Sequence, residues 1–196
     1  MKIIGGFFKL IIWVIVILLS TLIITGIVEV KNLWEESYGI SQGGFIYLKE
    51  DGGKTLCAEQ LRDKHTTYIE IPEEVDGKKV VSVGSYAFSN CTNLRDVKIA
   101  NSVKIIKSHA FKDCVALEHI VLPESLETIG AEAFVGCEGL QSIVIFDSVS
   151  SIGREAFSGC ISLEDIYYCG SEAQWNKIYF YSPIPDGVTV HYNYNP

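Results

Sequence analysis

A 23-residue pattern that recurs four times constrains the fold of this chain more than any other sequence feature. The unit reads I-x-x-x-A-F-x-x-C-x-x-L-x-x-I-x-L, and its Ala-Phe pairs end at Phe88, Phe111, Phe134 and Phe157. The same interval separates the cysteines at Cys91, Cys114, Cys137 and Cys160. A fixed period of this length is typical of a solenoid, in which each repeat forms one turn and buries its apolar side only against its neighbours.

The L-x-x-I-x-L part of each repeat predicts a short β-strand. Residues two apart in a strand point to the same side, so Val97 and Ile99 are expected to face the core while Asp96 and Lys98 face solvent. Successive strands would stack about 4.8 Å apart into a parallel sheet. The repeated Phe rings would then form a ladder with centroids roughly 4.5 to 7 Å apart. The S-x-A-F-x-x-C part is expected to make a single helical or 3₁₀ turn on the opposite side.

A polar position follows each strand at the same interval, at Ser102, Ser125, Ser148 and Ser171. A hydroxyl at this point can bond backbone groups where the chain leaves the strand, which predicts a structural role. The repeats occupy residues 80–169. A solenoid also needs caps at its open ends.

The caps are predicted on both sides of the repeats. Residues 44–79 form the N-terminal cap, with a hairpin around residues 50–53 and a first strand at residues 68–72. Residues 170–196 form the C-terminal cap, with a helix over residues 173–178 that is anchored by Trp175 and a closing strand over residues 188–192.

Residues 10–28 form an uncharged apolar segment of nineteen residues. As a helix it would span roughly 29 Å, which matches the hydrocarbon core of a bilayer, so we predict a transmembrane signal anchor. The alternative is a cleaved secretory signal, whose apolar region is usually shorter. Lysines precede the segment and glutamates follow it, which places residues 1–9 in the cytoplasm and the repeats outside the cell membrane, after a linker at residues 29–43.

Composition and motifs argue against several classes of function. The net charge of −8 and the lack of a Lys/Arg cluster argue against nucleic acid as a partner. No catalytic, metal-binding or cofactor motif is present, and the four histidines fall at unrelated repeat positions. The repeated cysteines predict a column of buried thiols, and Cys57 and Cys169 are expected to lie too far apart, at roughly 19 Å, for a disulfide.

Three stretches carry a resemblance to a known family: residues 71–77, residues 122–134 and residues 166–175, which reads I-Y-Y-C-G-S-E-A-Q-W. In these stretches the chain resembles the BspA-like leucine-rich repeats of bacterial surface proteins. The resemblance implies an α/β-type leucine-rich-repeat solenoid, here preceded by one transmembrane helix. It also implies a role in binding or adhesion at the cell surface.

The candidate binding site is the outward face of the strand sheet. It consists of two predicted columns of side chains, the first with Asp96, His119, Ser142 and Asp165 and the second with Lys98, Val121, Val144 and Tyr167. Apolar and aromatic side chains with charged neighbours are how protein interfaces are commonly built. The alternative is that Val at these positions only reflects strand preference. An imidazole and a carboxylate in the first column also suggest acid–base chemistry, although a solvated strand face is the simpler interpretation.

From these features we expect a non-enzymatic, membrane-anchored surface protein. Its strand face would engage a protein or glycan outside the cell, without a cofactor. The alternative is a structural envelope protein that assembles with partners in the same membrane, through residues 10–28 or through the solenoid.

Overall fold

The computed structural model describes residues 39–42, 45–61 and 64–196. The predicted cytoplasmic segment and transmembrane helix at residues 1–28, and the linker up to residue 38, lie outside the described residues. Within the described residues, no helix has the length and apolar character needed to cross a membrane.

The regular secondary structure of the described residues consists almost entirely of short strands. In chain order the elements are β1 (Gly39–Gln42), β2 (Phe45–Glu50), a 3₁₀ turn (Asp51–Gly53), β3 (Thr55–Leu61), β4 (Tyr68–Ile71), β5 (Glu74–Val75), β6 (Lys78–Val83), β7 (Asp96–Ile99), β8 (Ile105–Ile106), β9 (His119–Val121), β10 (Thr128–Ile129), β11 (Ser142–Ile145), β12 (Ser151–Ile152), β13 (Asp165–Tyr168), α1 (Glu172–Trp175), β14 (Tyr179–Phe180) and β15 (Thr189–His191).

These strands form a parallel β-solenoid of about six turns. The predicted sheet is present: β9, β11, β13 and β15 pair in parallel, β4 pairs with β7, and β7 lies beside β9. We call its outward side the strand face. A second sheet, which the sequence did not predict, joins β3, β6, β8, β10, β12 and β14 in parallel. Each turn therefore contributes a strand to both sheets.

The helical or 3₁₀ turn predicted in each repeat is present as hydrogen-bonded turns and not as a helix. Residues 85–91, 108–114, 131–137 and 154–160 form stacked turns, which we call the turn column, and their amides alternate between carbonyls of the next repeat and carbonyls three residues earlier in their own segment. The Phe88 N–H donates to the Ala110 carbonyl at 2.8 Å, and the Phe111 N–H donates to the Ala133 carbonyl at the same distance. Positive φ angles recur in these turns, for example 60° at Tyr86, and an α-helix cannot accommodate them.

The predicted Phe ladder forms the centre of the core. The rings are nearly parallel, and successive centroids are 5.0, 5.2 and 5.7 Å apart along the series Phe88, Phe111, Phe134 and Phe157. Phe45 from β2 closes the N-terminal end with an edge-to-face contact at 5.9 Å from Phe88. The ladder prediction is thus confirmed, and the N-terminal hairpin covers its first ring.

The repeated serines and cysteines satisfy backbone carbonyls between turns. Ser148 Oγ donates to the Leu126 carbonyl at 2.8 Å, and Ser102 and Ser125 bond carbonyls of the preceding turn in the same way. The thiol of Cys137 donates to the Phe111 carbonyl at 3.1 Å. The structural role predicted for these serines is confirmed, and the cysteines are thiols as predicted. Burial raises the pKa of the Cys57 thiol to about 12.

Irregular elements flank the repeats on both sides. Strands β2 and β3 pair as an antiparallel hairpin, with β1 beside β2, so the end of the predicted linker belongs to the cap sheet. At the other end α1 begins at Ser171, which forms a reciprocal capping box with Gln174. Trp175 is buried against Tyr168, with ring centroids 5.1 Å apart. Strand β15 then pairs in parallel with β13 and extends the strand face by one turn.

Candidate binding face

Strand register sets which side chains lie together on the strand face. Ser142 aligns with both His119 and Asp165, and Val144 aligns with both Val121 and Tyr167. From β9 to β13 the two columns expected from the sequence therefore exist as rows of adjacent side chains, and Asp96 and Lys98 lie on the neighbouring strand β7. The register also extends them beyond the regular repeats. The first column gains Tyr68 and Thr189, and the second gains Glu70 and His191.

The N-terminal end of the strand face is charged. Lys98 Nζ lies 2.7 Å from Glu70 Oε1, and the Tyr68 hydroxyl donates to the other oxygen of that carboxylate at 3.3 Å. The hydrogen bond from the Lys98 ammonium holds the pKa of Glu70 below its usual value, and the same contact raises the pKa of Lys98. Both groups are largely exposed, so this pair contributes charge to the surface more than it stabilises the fold.

The middle of the second column differs from the expected apolar strip. Val121 is 52% exposed, but Val144 is only 8% exposed. Val144 lies between Val121 and Tyr167 in its column, which leaves little of its small side chain in contact with solvent. The exposed apolar surface is therefore interrupted at Val144, and the expectation that this side chain is available to a partner was wrong.

The C-terminal end of the strand face carries a group of rings, which we call the aromatic cluster: Tyr167, His191 and Tyr194. Tyr167 stacks on His191 with centroids 4.9 Å apart and contacts Tyr194 at 4.7 Å. Asp165 Oδ1 lies 2.6 Å from His191 Nε2, which fixes the imidazole over the tyrosine. Stacked rings beside a carboxylate offer a partner both apolar area and hydrogen-bonding groups.

The structure separates His119 from the carboxylates that were considered with it. His119 Nδ1 bonds Ser142 Oγ at 2.8 Å on the next strand, whereas Asp165 pairs with His191. The acid–base pairing suggested for His119 is therefore not formed. No group of three or more His, Cys, Asp or Glu side chains that could hold a metal ion occurs in the part of the chain that the structure describes.

Sequence reasoning missed two members of the aromatic cluster. His191 lies 24 residues after Tyr167, one residue outside the strict period, because the closing strand follows a cap of different length. The near-match of this spacing to the repeat was the available signal. Tyr194 comes from the C-terminal tail beyond β15, where no periodic pattern exists.

A family model for the BspA-type leucine-rich repeat region matches six copies over residues 56–184. The chain belongs to this family. The match extends the repeats beyond the four regular ones in both directions, in agreement with the strands on either side of them.

Solved structures agree with this membership. A leucine-rich repeat protein from Bacteroides ovatus is 31% identical, with a TM-score of 0.60, and the match covers 79% of this chain and 37% of that one. A leucine-rich cell surface protein from Faecalibacterium prausnitzii is 30% identical, with a TM-score of 0.57, covering 76% and 44%. A leucine-rich repeat protein from T. pallidum is 26% identical, with a TM-score of 0.55, covering 66% and 71%. The chain spans less than half of the first two proteins. No curated protein matches its sequence.

Proposed function

We propose that this BspA-type repeat protein is a surface binding or adhesion module. Residues 10–28 would hold it in the cell membrane, with residues 1–9 in the cytoplasm and the strand face directed outward. Its partner would be a protein or glycan outside the cell. The observation that carries the proposal is the aromatic cluster beside Asp165, at the C-terminal end of the strand face.

The aromatic cluster has the properties of an interaction anchor. His191 is exposed and Tyr167 is half-buried, so the rings are held in place while part of their surface remains accessible. Rings fixed in this way lose little conformational freedom when a partner binds, and they suit both sugar faces and apolar protein side chains. The polar groups around the cluster, such as Asp165 and Thr189, would form the rim of the contact.

The binding proposal is tested with the full chain in detergent micelles, immobilised and exposed to a panel of surface proteins and glycans. Tyr167→Ala combined with His191→Ala removes two of the three rings. Tyr179→Ala is the matched control, because Tyr179 is 62% exposed on the second sheet, away from the strand face. Loss of binding in the double variant alone supports the proposal.

Equal binding by both variants would refute the assignment to the aromatic cluster. Failure of the full chain to bind any member of the panel would favour the alternative, assembly with partners in the same membrane. The orientation has its own test: protease added to intact cells is expected to remove the repeats, and survival of the repeats would contradict an outward-facing domain.

A further inference from the structure

The turn column contains a third ladder of backbone hydrogen bonds, separate from the two sheets. In each turn, alternate N–H groups donate to carbonyls of the following turn. The amides of Glu132, Phe134 and Gly136, for example, donate to the carbonyls of Arg154, Ala156 and Ser158 at 2.8 to 2.9 Å. The ladder is therefore directional. The first turn has accepting carbonyls with no preceding stacked turn, and the last turn has donating amides with no following stacked turn.

The N-terminal end of this ladder is closed by a side chain. Lys64 Nζ donates to the Ser89 carbonyl at 2.9 Å and lies 3.4 Å from the Ala87 carbonyl. These two carbonyls lie 23 residues before those of Ala110 and Lys112, which accept bonds from the amides of Phe88 and Asn90. The ammonium group thus replaces the amides of a missing preceding turn.

The C-terminal end of the ladder is open. The amides of Glu155, Phe157 and Gly159 correspond to the donors of the previous turn, but they have no acceptor among the described residues. The cause is a shortened last turn. In the preceding turn, Asp165 on the strand face comes thirteen positions after Ile152 on the second sheet. In the last turn, the corresponding residues are Phe180 and Thr189, and they are only nine positions apart.

A cavity of about 440 Å³ lies over these amides. Residues 155–159 form one side of it and residues 182–186 form the other. Its ionisable lining groups are the carboxylates of Glu155 and Asp186, so the lining is acidic, although the exposed Arg154 Nε lies 4.0 Å from Glu155 Oε1. A row of backbone donors in an acidic cavity fits a ligand that supplies neutral carbonyl oxygens together with positive charge, and it disfavours an anion.

We propose that this cavity, which we call the turn cavity, binds a polypeptide segment of a partner protein in the conformation of the stacked turns. The segment presents carbonyls at alternate residues to the amides of Glu155, Phe157 and Gly159, and it places a Lys or Arg near Glu155 and Asp186. The partner main chain then continues the ladder as a further turn would, in the manner of strand addition at an open sheet edge. The turn cavity does not depend on the strand face, so the two proposals succeed or fail separately.

The probe is a fluorescent, end-capped peptide with the sequence of residues 107–113, Lys-Ser-His-Ala-Phe-Lys-Asp. In the solenoid the carbonyls of this segment accept bonds from the amides of Tyr86, Phe88 and Asn90, so it has the required geometry, and it carries two lysines. It is titrated against the full chain in detergent micelles, and amide hydrogen exchange is followed with and without the peptide.

The amides of Glu155, Phe157 and Gly159 are expected to exchange rapidly in the free chain, and at least about tenfold more slowly with the peptide bound. The double variant Glu155→Lys with Asp186→Lys should bind about fivefold more weakly, because two exposed ion pairs are lost. The matched control is Glu73→Lys with Glu74→Lys, which makes the same change of charge at the opposite end of the solenoid and should bind normally.

Three results would overturn the proposal. The first is protection of the three amides in the free chain, because the site would then already be filled. The second is no binding up to roughly 1 mM peptide. The third is binding that leaves these amides unprotected or that is equal in both charge variants, because the peptide would then lie elsewhere.

Discussion

Replacing Phe134 by alanine should reveal how far the Phe ladder stabilises the solenoid. Phe134 is fully buried, and its ring stacks on two others, Phe111 at 5.2 Å and Phe157 at 5.7 Å. Truncating a buried Phe to Ala typically costs about 3 to 5 kcal/mol, of which each ring pair accounts for about 0.5 to 1.5 kcal/mol. We therefore expect Phe134→Ala to lower the free energy of unfolding by about 4 kcal/mol.

Phe157→Ala provides the matched comparison. Phe157 is also buried, but it stacks on one ring only, and the turn cavity lies on its other side. Its truncation should therefore cost about 1 kcal/mol less than that of Phe134. Urea unfolding of the full chain in a mild detergent, followed by far-UV circular dichroism, measures both values if the slope with urea is unchanged. An equal or larger loss for Phe157→Ala would refute the idea that stacking within the ladder is what distinguishes the two positions.

Three further predictions use the same assay. Ser148→Ala removes a hydrogen bond to the Leu126 carbonyl and should lower the free energy of unfolding by about 1 kcal/mol. Ser150→Ala removes an exposed bond to the Glu127 carbonyl and should lower it less, so equal losses would argue against a special role for the repeated serine. Lys64→Met leaves the Ala87 and Ser89 carbonyls without their donor and should lower the free energy of unfolding by about 1 to 2 kcal/mol. Lys79→Met, at an exposed position, should change it little, and no difference between the two variants would contradict the closing role of Lys64. Since burial raises the pKa of Cys57 from 9.0 to about 12, the unfolded chain loses its thiol proton first, so stability should fall as the pH rises from about 9 towards 12. Cys57→Ala should reduce that alkaline loss, and an unchanged pH profile would show that another group causes it.

The parts of the fold that were predictable are those encoded by repeated apolar residues. A fixed interval of 23 residues places Phe111 on Phe134 whatever the backbone does between them, so the ladder and the sheet of β9, β11 and β13 follow from the pattern. The second sheet was missed because its strands within the repeats, β8, β10 and β12, are two residues long and bury one side chain each. Such a strand has no alternation to detect.

The turn column could not be predicted for a different reason. Its shape depends on positive φ angles at residues that have side chains, including His109 and Glu132. Such angles are uncommon outside glycine, and the identity of these residues does not signal them. They are maintained because each turn bonds the next, so the conformation is a property of the stack and not of the local sequence.

The candidate site shows the same division. The two columns of the strand face follow directly from the repeat interval and the strand register. The burial of Val144 depends on the size of its neighbours, and the aromatic cluster depends on where the C-terminal cap returns the chain. Cap strands lie outside the strict period, which is why His191 and Tyr194 escaped sequence reasoning.

The way in which the last turn is closed explains why one of the three ladders remains open. Extending a sheet by one turn takes only the two or three residues of β14 or β15, and a shortened turn can still supply both. Extending the turn column requires thirteen positions and positive φ angles at two of them. The last turn is four residues shorter and contains Pro183 and Pro185, whose rings fix φ near −65° and exclude that conformation. The same shortening that ends the solenoid therefore leaves the amides of residues 155–159 facing a cavity. Restoring a turn of regular length with the sequence of residues 153–160 in place of residues 181–184 should bury these amides, so that added peptide no longer changes their hydrogen exchange, while leaving the strand face unchanged.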